Sequence, residues 1–190
     1  MGKRMNIQYI KAVKEDKERV TALYEQYLDR GEHLRRILSD CFEAESFLGI
    51  LAVCEGKLAG FYFGCGLLEF SVPHPELSRE LLRFMKGESF FVAGGLLVLP
   101  EFRGQGIAGQ LMERLKQELQ EKQICYFLVE IAMTPEGEVP AKKLYERTGK
   151  VLFSRSLPGF YREGYRYGVV CALCGTPCKC GACIEVMEVG

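Results

Sequence analysis

A chain of 190 residues suits one domain, and 48% hydrophobic with 26% charged residues is the composition of an ordinary globular protein. Lys and Arg number 25, as do Asp and Glu, for a formal net charge of zero; a generic nucleic-acid binder would need uncompensated positive charge to displace phosphate counterions. No apolar run approaches the roughly 20 residues that span a bilayer. The basic start MGKRMNIQYIKAV lacks the apolar core and cleavage site of a secretory signal, so the expectation is a cytoplasmic protein with neither nucleic acid nor membrane as partner.

In chain order the elements read as mixed α/β. IQYIKAV (7–13) reads as a strand, and KEDKERVTALYEQYLDR (14–30) as a helix with Val20, Leu23, Tyr24 and Tyr27 at helical spacing. HLRRILSDCF (33–42) is a second, short helix. FLGILAVCEG (47–56) and LAGFYFGCG (58–66) form a hairpin split at Glu55-Gly56-Lys57. Pro75 opens a helix with Gly87 at its C-cap. ESFFVAGGLLVLP (88–100) is the next strand and AGQLMERLKQELQEK (108–122) a long amphipathic helix. ICYFLVEIAM (124–133) is a nearly continuous apolar strand, as expected where both faces are covered. AKKLYERTG (141–149) is a short helix, and 151–173 completes the domain as two strands. The expected division is a domain over 1–170 and a Cys-rich tail over 171–190.

The stretch LLVLPEFRGQGIAGQLMERL puts a glycine-rich turn between strand and helix. Such a turn leaves backbone N–H groups unpaired where the helix dipole also favours an anion. Gly104 and Gly106 remove side chains that would hold a pyrophosphate away, Ala108 keeps the first helical turn thin, and Arg103 adds a charged donor. The alternatives are a plain tight turn, or a dinucleotide site on the spacing Gly104, Gly106, Gly109 with Glu130 further on; little chain follows to build a second nucleotide-binding half.

Val98, Pro100 and the run Arg103, Gly104, Gln105, Gly106, Ile107, Ala108 resemble the pyrophosphate signature of the GNAT superfamily of N-acetyltransferases, and AKKLYERTGKV resembles the family's Leu-Tyr helix. The resemblance covers roughly 5–170 and implies the GNAT fold, a mixed sheet flanked by helices. It also implies acetyl-CoA as cosubstrate and a primary amine or peptide N-terminus as acceptor. Leu96 and Val98 would offer backbone hydrogen bonds to pantetheine from a bulged strand, and Gly94-Gly95 makes the distortion cheap. Tyr145 would be the acid that protonates the leaving thiolate, its ordinary pKa of about 10 keeping it protonated at neutral pH; the other reading is a packing tyrosine. Glu130, a carboxylate inside an apolar strand, is the first candidate for the base, and Glu88 the second. The chain departs from the pattern at Glu138, where many members have asparagine, and at Lys150, where an aromatic commonly follows Gly149. The acceptor would lie against residues 24–45 and 153–165, the latter rich in aromatics and arginine. The isolated His33 and His74 read as surface residues.

Five of the nine cysteines crowd into CALCGTPCKCGAC. Cys171, Cys174, Cys180 and Cys183 form two C-x2-C pairs fit for one zinc ion, with Cys178 spare or exchanging roles with Cys180. An iron–sulfur site, a redox-active dithiol and unliganded thiols remain alternatives. So does a non-catalytic module of the same fold that senses metal or redox state through this tail. The sequence leaves the oligomeric state open, a dimer included.

Overall fold

Short apolar runs pair into one sheet, and amphipathic helices cover it, in a computed structural model that describes residues 6–66, 75–84 and 90–189. The elements are β1 (Ile7–Lys11), α1 (Lys17–Tyr27), β2 (Asp29–Arg30), α2 (Glu32–Glu43), β3 (Leu48–Cys54), β4 (Lys57–Gly66) and α3 (Pro75–Phe84). They continue as β5 (Phe90–Val98), α4 (Ile107–Glu121), β6 (Tyr126–Met133), α5 (Lys142–Glu146), β7 (Lys150–Leu157), a 3-10 helix (Phe160–Tyr167), β8 (Val170–Cys171) and β9 (Gly181–Glu188). Seven strands lie in the order β1-β3-β4-β5-β6-β9-β7, and β2 pairs with β8 apart from them. All pairings are antiparallel except β5 with β6.

The first strand and helix are shorter than their periodicity predicts. Asp16 is the reason: its carboxylate accepts the Val13 N–H at 2.9 Å and pairs with Arg19, so a 3-10 turn over Lys14–Asp16 intervenes before α1. Leu28 then leaves the helical region, and Asp29 and Arg30 turn into β2. The expected C-cap at Gly87 lies outside the described residues. Among the described residues no helix is long and apolar enough to cross a membrane.

The larger difference is at the C-terminus. The region read as two closing strands gives β7, the 3-10 helix and the two-residue β8. The segment read as a tail supplies β9, which pairs with β6 from Tyr126↔Glu188 to Met133↔Gly181 and with β7 on its other edge. Residues 181–187 are all buried, as an inner strand covered on both faces should be. Gly181–Glu188 is therefore an inner strand of the sheet, reached from β8 through a loop over 172–180.

One face of the sheet packs Phe91, Phe127, Val129, Ile131, Cys183 and Met187 against α4 and α5. The other packs Leu51, Phe61, Phe63 and Leu97 against α1 and α2, and Leu128, Ile184 and Val186 against α3. The β4–β5 register shifts between Phe63↔Gly95 and Gly64↔Ala93, which leaves Gly94 as one extra residue in β5. A bulge reverses which residues face which layer. Thus Phe91 before it, and Leu96 and Val98 after it, all pack toward α4.

Candidate active site

β5 and β6 part company in mid-sheet. Their parallel ladder holds only Phe90↔Tyr126, Phe91↔Phe127 and Val92↔Leu128. Beyond it β5 stays on β4 as far as Val98, and β6 stays on β9 as far as Met133. Both strands persist without pairing each other, so a slot opens between them just past the bulge. Leu99 N–H donates to Ala59 at 2.9 Å. Alternate residues of an antiparallel edge point their N–H and C=O the other way, so Leu96 and Val98 turn theirs toward the slot.

The glycine-rich turn stands at the wide end of that slot. Gly104 and Gly106 have φ of 76° and 78°, a left-handed conformation that glycine adopts without strain. Gly106 caps α4, whose first backbone bond is Gln110 N–H to Gly106 at 3.2 Å. The N–H groups of Ile107, Ala108 and Gly109 therefore precede the helical ladder. Chain neighbours and the helix's own backbone aside, no atom of the described residues lies within 4 Å of where a Cβ would stand at Gly104, Gly106 or Gly109, so open space lies beside the turn. Arg103 folds back on the strand end, its Nε donating to the Val98 carbonyl at 3.0 Å; that oxygen keeps a second lone pair. Gln105 is exposed between the two glycines, and Ile107 is anchored in the core.

Tyr145 and Glu130 lie on opposite faces of the sheet. Tyr145, on α5, is buried among Val129, Ile131 and Phe91, its ring edge-on to Tyr62 at 6.4 Å. Burial, countered in part by the Tyr62 hydroxyl, pushes its pKa up to about 12. The Tyr62 hydroxyl is buried, and among the described residues no group meets it at full hydrogen-bond geometry. Glu130, on β6, points to the α1/α2 face and accepts the Tyr161 hydroxyl at 2.5 Å. It is open to solvent by contact surface yet hemmed in by surrounding atoms, and that crowding raises its pKa against the lowering effect of Tyr161. The charge of Asp29 raises it further.

Asp29, Tyr24 and Tyr161 complete this side. The Tyr24 ring comes so close over Gly95 that a Cβ there would sit 2.7 Å from it. Burial first, then the charges of Asp29 and Glu130, push the Tyr24 phenol up, and burial with Glu130 does the same to Tyr161. Burial likewise raises the Asp29 carboxyl. Two carboxylates and two phenols thus converge beside the slot. Asp29 had no local signal in the sequence, since it ends a helical pattern where a charged residue is unremarkable. Glu88 and His74 lie outside the described residues, and His33 sits in α2. The lengthened segment before α5 closes on itself, Thr134 N–H donating to the Glu138 carbonyl at 2.8 Å.

Glu185, also unforeseen, is fully buried on β9. It accepts the Ser154 hydroxyl at 2.9 Å, with Lys142 of α5 at 3.8 Å, and its second oxygen has no hydrogen-bond partner among the described residues. A lone acid inside the apolar run ACIEVM was its signal. Ser154→Ala should destabilise the fold by about 1–3 kcal/mol, because it takes a donor from a buried carboxylate. An unchanged denaturant midpoint would show that Lys142 and the Cys183 thiol, 3.7 Å away, satisfy the group without it.

The cysteines group differently from their sequence pairing. The sulfurs of Cys171, Cys174, Cys178 and Cys180 all lie within 4.8 Å of one another. Cys183 is on β9, where its sulfur lies 3.5 Å from the Ser154 hydroxyl. Strand alternation buries Cys183 on the α4/α5 face, apart from that group.

The model of the Acetyltransferase (GNAT) family matches residues 17–149. No curated protein matches the chain significantly. Among solved structures, the fold is similar to that of Arabidopsis thaliana NAA60 in complex with acetyl-CoA (TM-score 0.65, 18% identity, 96% of this chain and 98% of that one). It is also similar to the ribosomal-protein-S18-alanine N-acetyltransferase from Escherichia coli (0.67, 14%, 97% and 95%). A third is yncA, a putative acetyltransferase from Salmonella typhimurium with acetyl-CoA (0.61, 14%, 97% and 95%). With the family model covering well over half its length, and with the open slot and glycine turn in place, the chain belongs to the GNAT acetyltransferase family.

Proposed function

We propose that the protein transfers an acetyl group from acetyl-CoA to a primary amine by direct attack in a ternary complex. The observation that carries this reading is the slot between β5 and β6, with the open turn Arg103–Ala108 at one end and Glu130 beside it. The turn and the α4 N-terminus would hold the pyrophosphate, and the backbone of Leu96 and Val98 would hold the pantetheine arm. The thioester would then lie between the two faces of the sheet.

The acceptor amine enters from the side of Tyr24, Asp29 and Tyr161, where carboxylates attract an ammonium group and aromatic rings stack on it. Glu130 takes its proton, directly or through one water. The free amine attacks the carbonyl carbon, and the carbon–sulfur bond breaks as Tyr145 protonates the departing thiolate from the opposite face. The surplus proton on the new amide nitrogen passes to solvent, from which Tyr145 is reprotonated. A pKa raised by crowding suits Glu130 to this role, because a base works best with a pKa near the operating pH. The two-carboxylate side favours a cationic acceptor, either a small amine or a peptide N-terminus. A reducing, intracellular setting goes with a thioester cosubstrate and nine cysteines.

The test is thiol release from acetyl-CoA against a panel of amines and peptides. Acceptor-dependent release is expected, strongest for cationic acceptors, and release that no acceptor stimulates would sink the reading. With an acceptor in hand, Tyr145→Phe keeps the ring and its packing and removes the proton. Turnover should fall about 100-fold with coenzyme-A affinity little changed. Near-normal turnover with chemistry rate-limiting would return Tyr145 to the core.

A further inference from the structure

Four sulfurs crowd together where β8 hands the chain to β9. Cys174 lies 3.5 Å from Cys178 and 3.6 Å from Cys180, and Cys171 lies 4.0 Å from Cys180. A tetrahedral metal with metal–sulfur bonds of about 2.3 Å sets its ligands about 3.8 Å apart, close to these three separations, and the remaining pairs lie within 4.8 Å. The separations are too long for disulfides, whose sulfurs stand about 2.05 Å apart. They are too short for the cysteines of a multi-iron cluster, which surround a body of several atoms.

The backbone is shaped for the same purpose. Gly175, with φ of 75°, turns the first C-x2-C segment, and its N–H donates to the Cys171 carbonyl at 2.9 Å. The Lys179 N–H donates to the Cys174 sulfur at 3.2 Å, as an amide does to a thiolate that carries charge. Cys178 and Cys180 are buried, so water gives little help to charges gathered there. Among the described residues no other group of His, Cys, Asp and Glu is gathered in this way.

We propose that Cys171, Cys174, Cys178 and Cys180 bind one zinc ion in a closed four-thiolate site. On binding, the thiols lose their protons and the metal takes all four sulfurs, so no position is left for substrate and the site is structural. Its place in the fold gives it a further task. Cys171 pairs with Asp29 across β2 and β8, and the Cys180 carbonyl accepts the Tyr161 N–H at 3.4 Å. The ion therefore ties together the two segments that carry Asp29 and Tyr161, the wall against which the acceptor would lie. This second part rests on the proposed acetyl transfer; the metal site does not.

Elemental analysis of full-length protein purified without chelator or metal-affinity resin should give one zinc per chain. Cobalt added to metal-free protein should produce the intense sulfur-to-metal absorption of a tetrahedral thiolate site. Cys178→Ala should lose stoichiometric zinc, and Cys183→Ala should keep it; the reverse result would overturn the assignment. If Cys178→Ala fails to fold, thiol labelling of the native protein decides instead: these four cysteines should resist the reagent until a chelator is added. Iron in place of zinc, a disulfide found by mass spectrometry, or labelling indifferent to chelator would each sink the proposal. Zinc removal should raise the acceptor KM at least several-fold and leave coenzyme-A affinity within about twofold. If no acceptor is found, zinc content and thiol protection still decide the metal site. An unchanged acceptor KM in zinc-free protein would remove the ion's link to the acceptor wall.

Discussion

Gly106→Glu should abolish coenzyme-A binding in a protein that still folds. Gly106 caps α4 in a left-handed conformation, and nothing stands within 4 Å of the position a Cβ would take. A Cβ there meets no neighbour, so a glutamate side chain can extend into the space the pyrophosphate needs, adding a negative charge that repels it. The left-handed backbone itself costs a non-glycine residue on the order of 1–2 kcal/mol. Gly106→Ala isolates that cost and should weaken binding far less. Calorimetry of both variants, with circular dichroism to verify the fold, separates strain from obstruction. Unchanged coenzyme-A affinity in folded Gly106→Glu would move the phosphates elsewhere.

The turn was legible because its physics is local: glycines and a helix start within a few residues set a left-handed turn with open space beside it, whatever surrounds them. The slot was legible only through resemblance, since strand splay depends on where β5 stops pairing with β6. Gly94-Gly95 marked the bulge, and the β4 register decides that Gly94 is the extra residue. β9 was hidden by its own cysteines. Seven buried residues in an inner strand carry the apolar signature of one, but Cys180 and Cys183 frame its start and drew the reading toward a tail. The same spacing pairs thiols that the structure places apart. Cys183 completes a C-x2-C pair in sequence, while strand alternation sends its side chain into the α4/α5 layer and leaves Cys178 in the cluster. Asp29 was illegible for a different reason, because its meaning comes from β8, about 140 residues later in the chain.

Glu130→Gln should lower kcat/KM for the amine by roughly 100-fold to 10,000-fold, the usual contribution of a positioned base. Glutamine keeps the size of the side chain and still accepts the Tyr161 hydroxyl through its amide oxygen, so the geometry of the cleft should survive. Only the ability to take a proton is lost. The pH profile carries the stronger test. A base works when deprotonated, so activity should rise with pH through the raised Glu130 pKa and then level off. Beside burial, the groups that set that pKa come from two elements: Tyr161 from the 3-10 helix and Asp29 from β2. Tyr161 donates to the carboxylate and holds its pKa down, so Tyr161→Phe should move the acidic limb to higher pH. Asp29 raises it through its charge, so Asp29→Asn should move the limb to lower pH. The acceptor's own ammonium adds a second rise at higher pH, and Glu130→Gln leaves that one in place. Two neighbouring substitutions with shifts of opposite sign are hard to obtain from a carboxylate that merely packs. A Glu130→Gln variant with near-normal kcat/KM and the acidic limb intact would place the base elsewhere, with Asp29 the next to test.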